Sequence, residues 1–196
     1  MAFKFNKHPE LEGKHALLSA SKYSWTRYTP EKFEEIFRNH RATQQGTKLH
    51  EFAKMAIELG QSQPRNTKTL NMYVNDCIGM RMIPEMPLVF DPYFSFGTAD
   101  AIRFDPKPKN SLRPKLYIFD LKTGVTEAKF DQLMIYAVLF CLEYGFRVGE
   151  IDVELRIYQN DEKREYIPDI AELVNIHDKL LHFHSIAAYI SKEDQS

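Results

Sequence analysis

Residues 94–124 read "FSFGTADAIRFDPKPKNSLRPKLYIFDLKTG", and the fold follows from how this stretch is paired. Two apolar runs, FSFGTADAIRF and KLYIFDLK, have strand-like composition and flank DPKPKNSLRP, a loop whose prolines and basic residues end both runs. Within KLYIFDLK, a period of two puts Leu116, Ile118, Asp120 and Lys122 on one face and Tyr117, Phe119 and Leu121 on the other. Closing the loop as a hairpin sets Phe104 near Lys115 and brings Asp100 opposite Phe119 or Asp120. Two carboxylates then lie side by side at the end of a sheet. Like charges at that distance repel, and their burial is costly unless a cation sits between them. A divalent ion such as Mg²⁺, which takes a few carboxylates and keeps waters and a substrate phosphate oxygen, resolves the conflict. Such an ion lowers the pKa of a bound water, and a nearby lysine orients that water or steadies the developing charge, which is the chemistry of phosphodiester hydrolysis.

Working outward, SASKYSWTRYTPEKFEEIF predicts a short helix opened by Ser19 or Ser21, then a second helical start after Thr29 and Pro30. Residues 46–60, GTKLHEFAKMAIELG, predict an amphipathic helix capped by Thr47. Its apolar stripe is Leu49, Phe52, Ala53, Ala56, Ile57 and Leu59, with His50 at the edge and Glu51 facing water. A helix over 66–79, a β region from Glu85, a long helix from Thr126 closed by Gly145, a strand over 151–161 with a turn after it, and a terminal helix over 170–190 complete the pattern. Helices, three strands, helix, strand, helix is a layered α/β order. A chain of 196 residues with no repeat or linker is read as a single domain over 1–196, with 1–16 as a polar N-terminal arm.

Bulk properties exclude little on the side of partners, because a net charge of −1 is compatible with a basic binding face on a balanced molecule. Two isolated cysteines, Cys77 and Cys141, are too few for a disulfide framework or an Fe–S cluster and are read as reduced core thiols. The absence of a signal-like or membrane-spanning apolar run leads to the expectation of a cytoplasmic protein with no membrane partner.

The D-x-K pattern occurs three times, and the copies Asp105/Lys107 and Asp161/Lys163 sit in turns where solvated charge is expected. Only Asp120/Lys122 follows an apolar strand. Four motifs then occur in order: GTKLH (Gly46 to His50), GTAD (Gly97 to Asp100), DLK (Asp120 to Lys122) and QLMIY (Gln132 to Tyr136). In this order they resemble G-x-x-x-H, G-x-x-D, D-x-K and Q-x-x-x-Y of the PD-(D/E)xK nuclease superfamily, specifically its RecB-like and Cas4-like exonuclease branch. The resemblance spans roughly residues 17–160, and HALLSASKYSW resembles the segment that opens phage and prophage relatives.

That resemblance implies an α/β restriction-endonuclease-like core, a central mixed β-sheet flanked by helices. It implies His50, Asp100, Asp120 and the Leu121 carbonyl as ligands of Mg²⁺ or Mn²⁺. By the same resemblance Lys122 would be the catalytic lysine, Gln132 and Tyr136 would form a pair at the DNA or active-site edge, and Glu85 of IPEMPLVF would be an additional acidic candidate. Ala99 replaces the family's proline, and the cysteines of the Fe–S-bearing members are missing, so no Fe–S cluster is expected. The implied activity is metal-dependent DNA hydrolysis, of exonuclease type, in recombination or repair, with DNA as substrate and a recombinase or single-strand-binding protein as partner. A binding module without turnover and a structure-specific endonuclease are the alternatives. His177, His182 and His184 fit no compact metal motif and are read as surface or helix-packing residues, and Lys107, Lys109, Arg113 and Lys115 form a basic loop able to meet a phosphate backbone.

Overall fold

The computed structural model describes residues 16–109 and 111–193; of the expected N-terminal arm, all but Ala16 lies outside them. The chain divides into two compact units, Met1–Gln45 and Gly46–Ser196. In the first, a 3-10 helix covers Ala20–Arg27, and Trp25 Nε1 donates to the Ser19 carbonyl at 2.9 Å. The long helix α1, Pro30–Glu58, begins there and runs on into the second unit.

The second unit is an α/β arrangement around a five-strand mixed sheet, and the described residues form five helices in all. The strands are β1 (Ile83–Asp91), β2 (Ser95–Asp105), β3 (Lys115–Leu121), β4 (Asp152–Gln159) and β5 (Glu162–Tyr166), in spatial order β1-β2-β3-β4-β5. Neighbours are antiparallel except β3 and β4, which run parallel. A parallel pair needs a crossover, and α3 (Asp131–Tyr144) is that crossover. The remaining helices are α2 (Thr69–Gly79) and α4 (Ile170–Glu193).

Two apolar layers follow from the pleat. Leu116 and Ile118 of β3 face α3, where Leu133, Ala137, Val138 and Cys141 are buried, and Leu173 of α4 closes that layer. Phe119 and Leu121 face the other way, onto Ala53, Ala56 and Ile57 of α1 and Tyr73, Val74 and Cys77 of α2. Each fully buried Leu, Ile or Phe contributes about 1.5–3 kcal/mol, so both layers hold the sheet without help from its charged edges. Both cysteines are buried and free, and burial pushes the Cys141 thiol up to about 11. Among the described residues, no helix is long and apolar enough to cross a membrane.

Three elements differ from the sequence expectation. The two helical starts at Pro30 and Thr47 belong to one helix, with Thr47 in its interior. The third helix starts at Asp131 rather than Thr126 because side chains bind the preceding backbone: Gln159 takes the carbonyls of Gly124 and Thr126, Asn160 that of Val125 and Arg164 that of Ala128. The turn expected after β4 leads into a further strand, β5, whose sequence EKREY is an exposed edge carrying no apolar alternation.

Candidate active site

The hairpin register places the two acids as the alternation requires. Ala101 pairs with Phe119, so Asp100 and Asp120 are the next residues along the two strands. The Leu121 amide donates to Asp100 Oδ2 at 2.9 Å, which ties the carboxylate of β2 to the end of β3. Asp120 is 1% exposed. Lys122 Nζ approaches Asp120 Oδ2 to 3.0 Å as an ion pair, but neither carboxylate oxygen has a hydrogen-bond partner. A buried carboxylate in that state is costly unless something else compensates it.

Helices reach the strand ends from both faces of the sheet. From one side comes His50 on α1, its Nδ1 3.4 Å from Asp100 Oδ2. The close approach depends on Gly46, one turn earlier: a Cβ there would lie 2.8 Å from Thr123 Oγ1 in the loop after Lys122. From the other side comes α3, where Lys122 Nζ donates to Gln132 Oε1 at 2.9 Å and Gln132 Nε2 donates to the Tyr136 hydroxyl oxygen at 2.8 Å. The (i, i+4) pair therefore forms a brace that begins on the lysine and ends on the phenol of a buried tyrosine.

Glu85 joins the site through the backbone. Pro84 pairs with Ala101 and Met86 with Ala99, leaving Glu85 opposite Asp100, at a φ of 50° that glutamate seldom adopts. One ligand atom from each of His50, Glu85 and Asp100 lies within 4.8 Å of the others, while Asp120 falls outside that group, deeper and against Lys122. An imidazole and two carboxylates are a donor set suited to a divalent cation. Of the sequence-stated candidates, His50, Glu85, Asp100, Asp120, Lys122, Gln132 and Tyr136 converge on this one end of the sheet. Leu121 contributes its amide to Asp100 there.

Electrostatics agree with the geometry. Burial, and then the charge of Asp120, push the Asp100 carboxyl up to about 6, against the opposing pull of His50, the Leu121 amide and Lys122. Burial likewise raises Asp120, opposed by Lys122 and His50. Two neighbouring acids held toward protonation by burial, Asp100 also by the charge of Asp120, mark a functional-site candidate.

The basic loop does not flank this end. Lys115 opens β3 and pairs with Glu154 at 2.7 Å, and Arg113 donates to the Gly149 carbonyl at 2.9 Å. A seven-residue strand puts them about 20 Å from the carboxylates. His184 makes no metal cluster either; its Nε2 sits 2.9 Å from Asp91 Oδ2 and ties α4 to the β1–β2 turn.

Gly97 has the same logic as Gly46. A Cβ at position 97 would lie 2.8 Å from Cε1 of Tyr136, so Gly97→Ala is expected to push the ring off its seat and loosen the brace on Lys122. Overpacking of this kind costs about 1–3 kcal/mol. Urea unfolding should show that loss, and an unchanged midpoint would contradict the close packing of strand and ring.

Compared with protein-family models, with curated proteins and with solved structures, the chain matched none.

Proposed function

We propose that the chain is a metal-dependent DNA nuclease of the PD-(D/E)xK type, with a restriction-endonuclease-like core, acting as an exonuclease in DNA recombination or repair in the cytoplasm. The observation that carries the reading is Asp120, buried with only the Lys122 ammonium to compensate it, beside a second raised carboxylate, Asp100, with His50 and Glu85 converging on the latter. A site of this charge has a physical reason to exist if it receives a divalent ion, and the donors present fit Mg²⁺ or Mn²⁺. His50, Glu85 and Asp100 would hold the ion, beside the buried charge of Asp120. When bound, it supplies Lewis acidity and a water of lowered pKa.

The remaining roles belong to the chain's own residues. Asp120 holds the Lys122 ammonium at the strand end, and Gln132 holds it from the helix side, so the cation is fixed where charge develops on a phosphate. Tyr136 fixes Gln132 in turn. DNA is the substrate, a recombinase or a single-strand-binding protein is the partner class, and no Fe–S group is involved.

The test is digestion of 5′- and 3′-labelled linear DNA by the purified chain in Mn²⁺ or Mg²⁺. Metal-dependent release of nucleotides by wild type, lost in Lys122→Met, is expected. Tight metal-independent binding without cleavage would point to the binding module, and cutting of circular or branched DNA to an endonuclease.

A further inference from the structure

Gln159, at the last position of β4, has no role in the chemistry above, yet it is a polar side chain only 4% exposed and completely satisfied. All of its hydrogen bonds go to one segment. Its Nε2 donates to the carbonyls of Gly124 at 2.6 Å and Thr126 at 2.7 Å, and its Oε1 accepts from the Ala128 amide at 2.9 Å. That segment, residues 123–130, has no regular secondary structure and is mostly exposed. It is the connection between Lys122 on one side and Gln132 on the other, the two residues whose side chains meet at 2.9 Å.

The same hairpin supplies further stitches to this segment and to the Lys122 amide just before it. Asn160 Nδ2 donates to the Val125 carbonyl at 3.1 Å, Arg164 donates to Ala128 at 2.7 Å, and the Lys122 amide donates to the Tyr158 carbonyl at 2.9 Å. The connection is anchored on the core only at its far end, through Ala128 and Phe130, so the shape of its exposed part, residues 123–127, rests on these donors.

We propose that Gln159 is a positioning residue: by fixing residues 124–128, it sets the separation of β3 and α3 and so holds Lys122 between Asp120 and Gln132. The inference rests on the nuclease reading only for its consequence in rate. The geometric claim stands on the hydrogen bonds alone. Burial makes Gln159 effective, since a donor and an acceptor sealed from water stay paired with their three backbone partners.

Three variants test it. Gln159→Ala removes the clamp. Gln159→Glu keeps an acceptor for Ala128 and loses both donors. Asn160→Gly removes an exposed stitch while keeping the left-handed backbone, φ 54°, that position 160 adopts. The first readout is the Lys122 Nζ resonance in ¹⁵N-lysine-labelled protein, assigned by its loss in Lys122→Met. It should move in Gln159→Ala and Gln159→Glu, and by less in Asn160→Gly. The second is turnover: kcat should fall by about a hundredfold in Gln159→Ala, the scale of a 1 Å misplacement, with KM and Mn²⁺ affinity unchanged, because none of His50, Glu85 and Asp100 touches the clamped segment. An unmoved Lys122 resonance in folded Gln159→Ala overturns the proposal. If Gln159→Ala does not fold, the resonance in Gln159→Glu and Asn160→Gly decides. If wild type digests no DNA, the nuclease reading fails while the resonance still decides whether Gln159 positions Lys122.

Discussion

Asp120→Asn is expected to abolish activity and stabilise the metal-free protein. Asp120 is 1% exposed, neither oxygen has a hydrogen-bond partner, and burial raises its carboxyl. An amide of the same shape removes the buried charge, and a neutral polar group costs less to bury than an ionised one. The gain should be about 1–2 kcal/mol, set by the loss of the Lys122 ion pair against the relief of desolvation. At this chain length that is a rise in Tm of roughly 2–8 °C. Turnover should fall by at least about a hundredfold to a thousandfold, because the charge that holds Lys122 is gone. Melting curves in a chelator, beside digestion of labelled DNA, measure both. A structural acid would behave oppositely: its replacement would lower Tm and leave turnover intact, and that outcome would remove Asp120 from the site.

The second large effect couples pH to metal. Asp100 titrates at about 6 in the folded chain, above the ordinary carboxylate value of 3.8, so the folded state holds its proton more tightly than the unfolded state. The stability this contributes is complete below pH 3.8 and is lost as pH rises through about 6. A displacement of this size corresponds to about 3 kcal/mol. Carboxylates lowered by their partners, such as Asp91 beside His184 and Glu154 beside Lys115, tilt stability the other way, being lost as pH falls. The difference between wild type and Asp100→Asn therefore isolates the slope. In chelator, wild type should lose stability relative to Asp100→Asn between about pH 4 and 6. At pH 7.5, Mn²⁺ at a hundredfold excess over its Kd should return about 2.7 kcal/mol to wild type and nothing to Asp100→Asn. Mn²⁺ should bind more tightly than Mg²⁺, since an imidazole donor suits the former and a strict oxygen shell the latter. Parallel pH curves for the two proteins would show that Asp100 is not held toward protonation.

Much of this site was legible in residue order. His50, Asp100, Asp120, Lys122, Gln132 and Tyr136 lie in four short motifs, and the period of two along KLYIFDLK put Asp120 and Lys122 on one face. Local spacing suffices there because strand alternation and helical (i, i+4) geometry are properties of a few consecutive residues. Glu85 was visible only as an acid before a strand. What brings it opposite Asp100 is a left-handed backbone, φ 50°, inside an edge strand, and no propensity encodes that.

The sequence by itself determined the alternation of the hairpin, the amphipathic helix under His50 and the glycine stop at Gly145. Only the tertiary structure decided that Thr47 lies inside a continuous helix, that EKREY is a strand, and that the segment after Lys122 stays non-helical because Gln159, Asn160 and Arg164 take its carbonyls. The physical reason is range. Alternation, helical stripes and caps are settled within a turn or two of chain, whereas the clamped loop owes its form to partners some 30 or more residues away, as between Gln159 and Thr126, and the polar edge strand owes its form to pairing with β4 rather than to its own side chains.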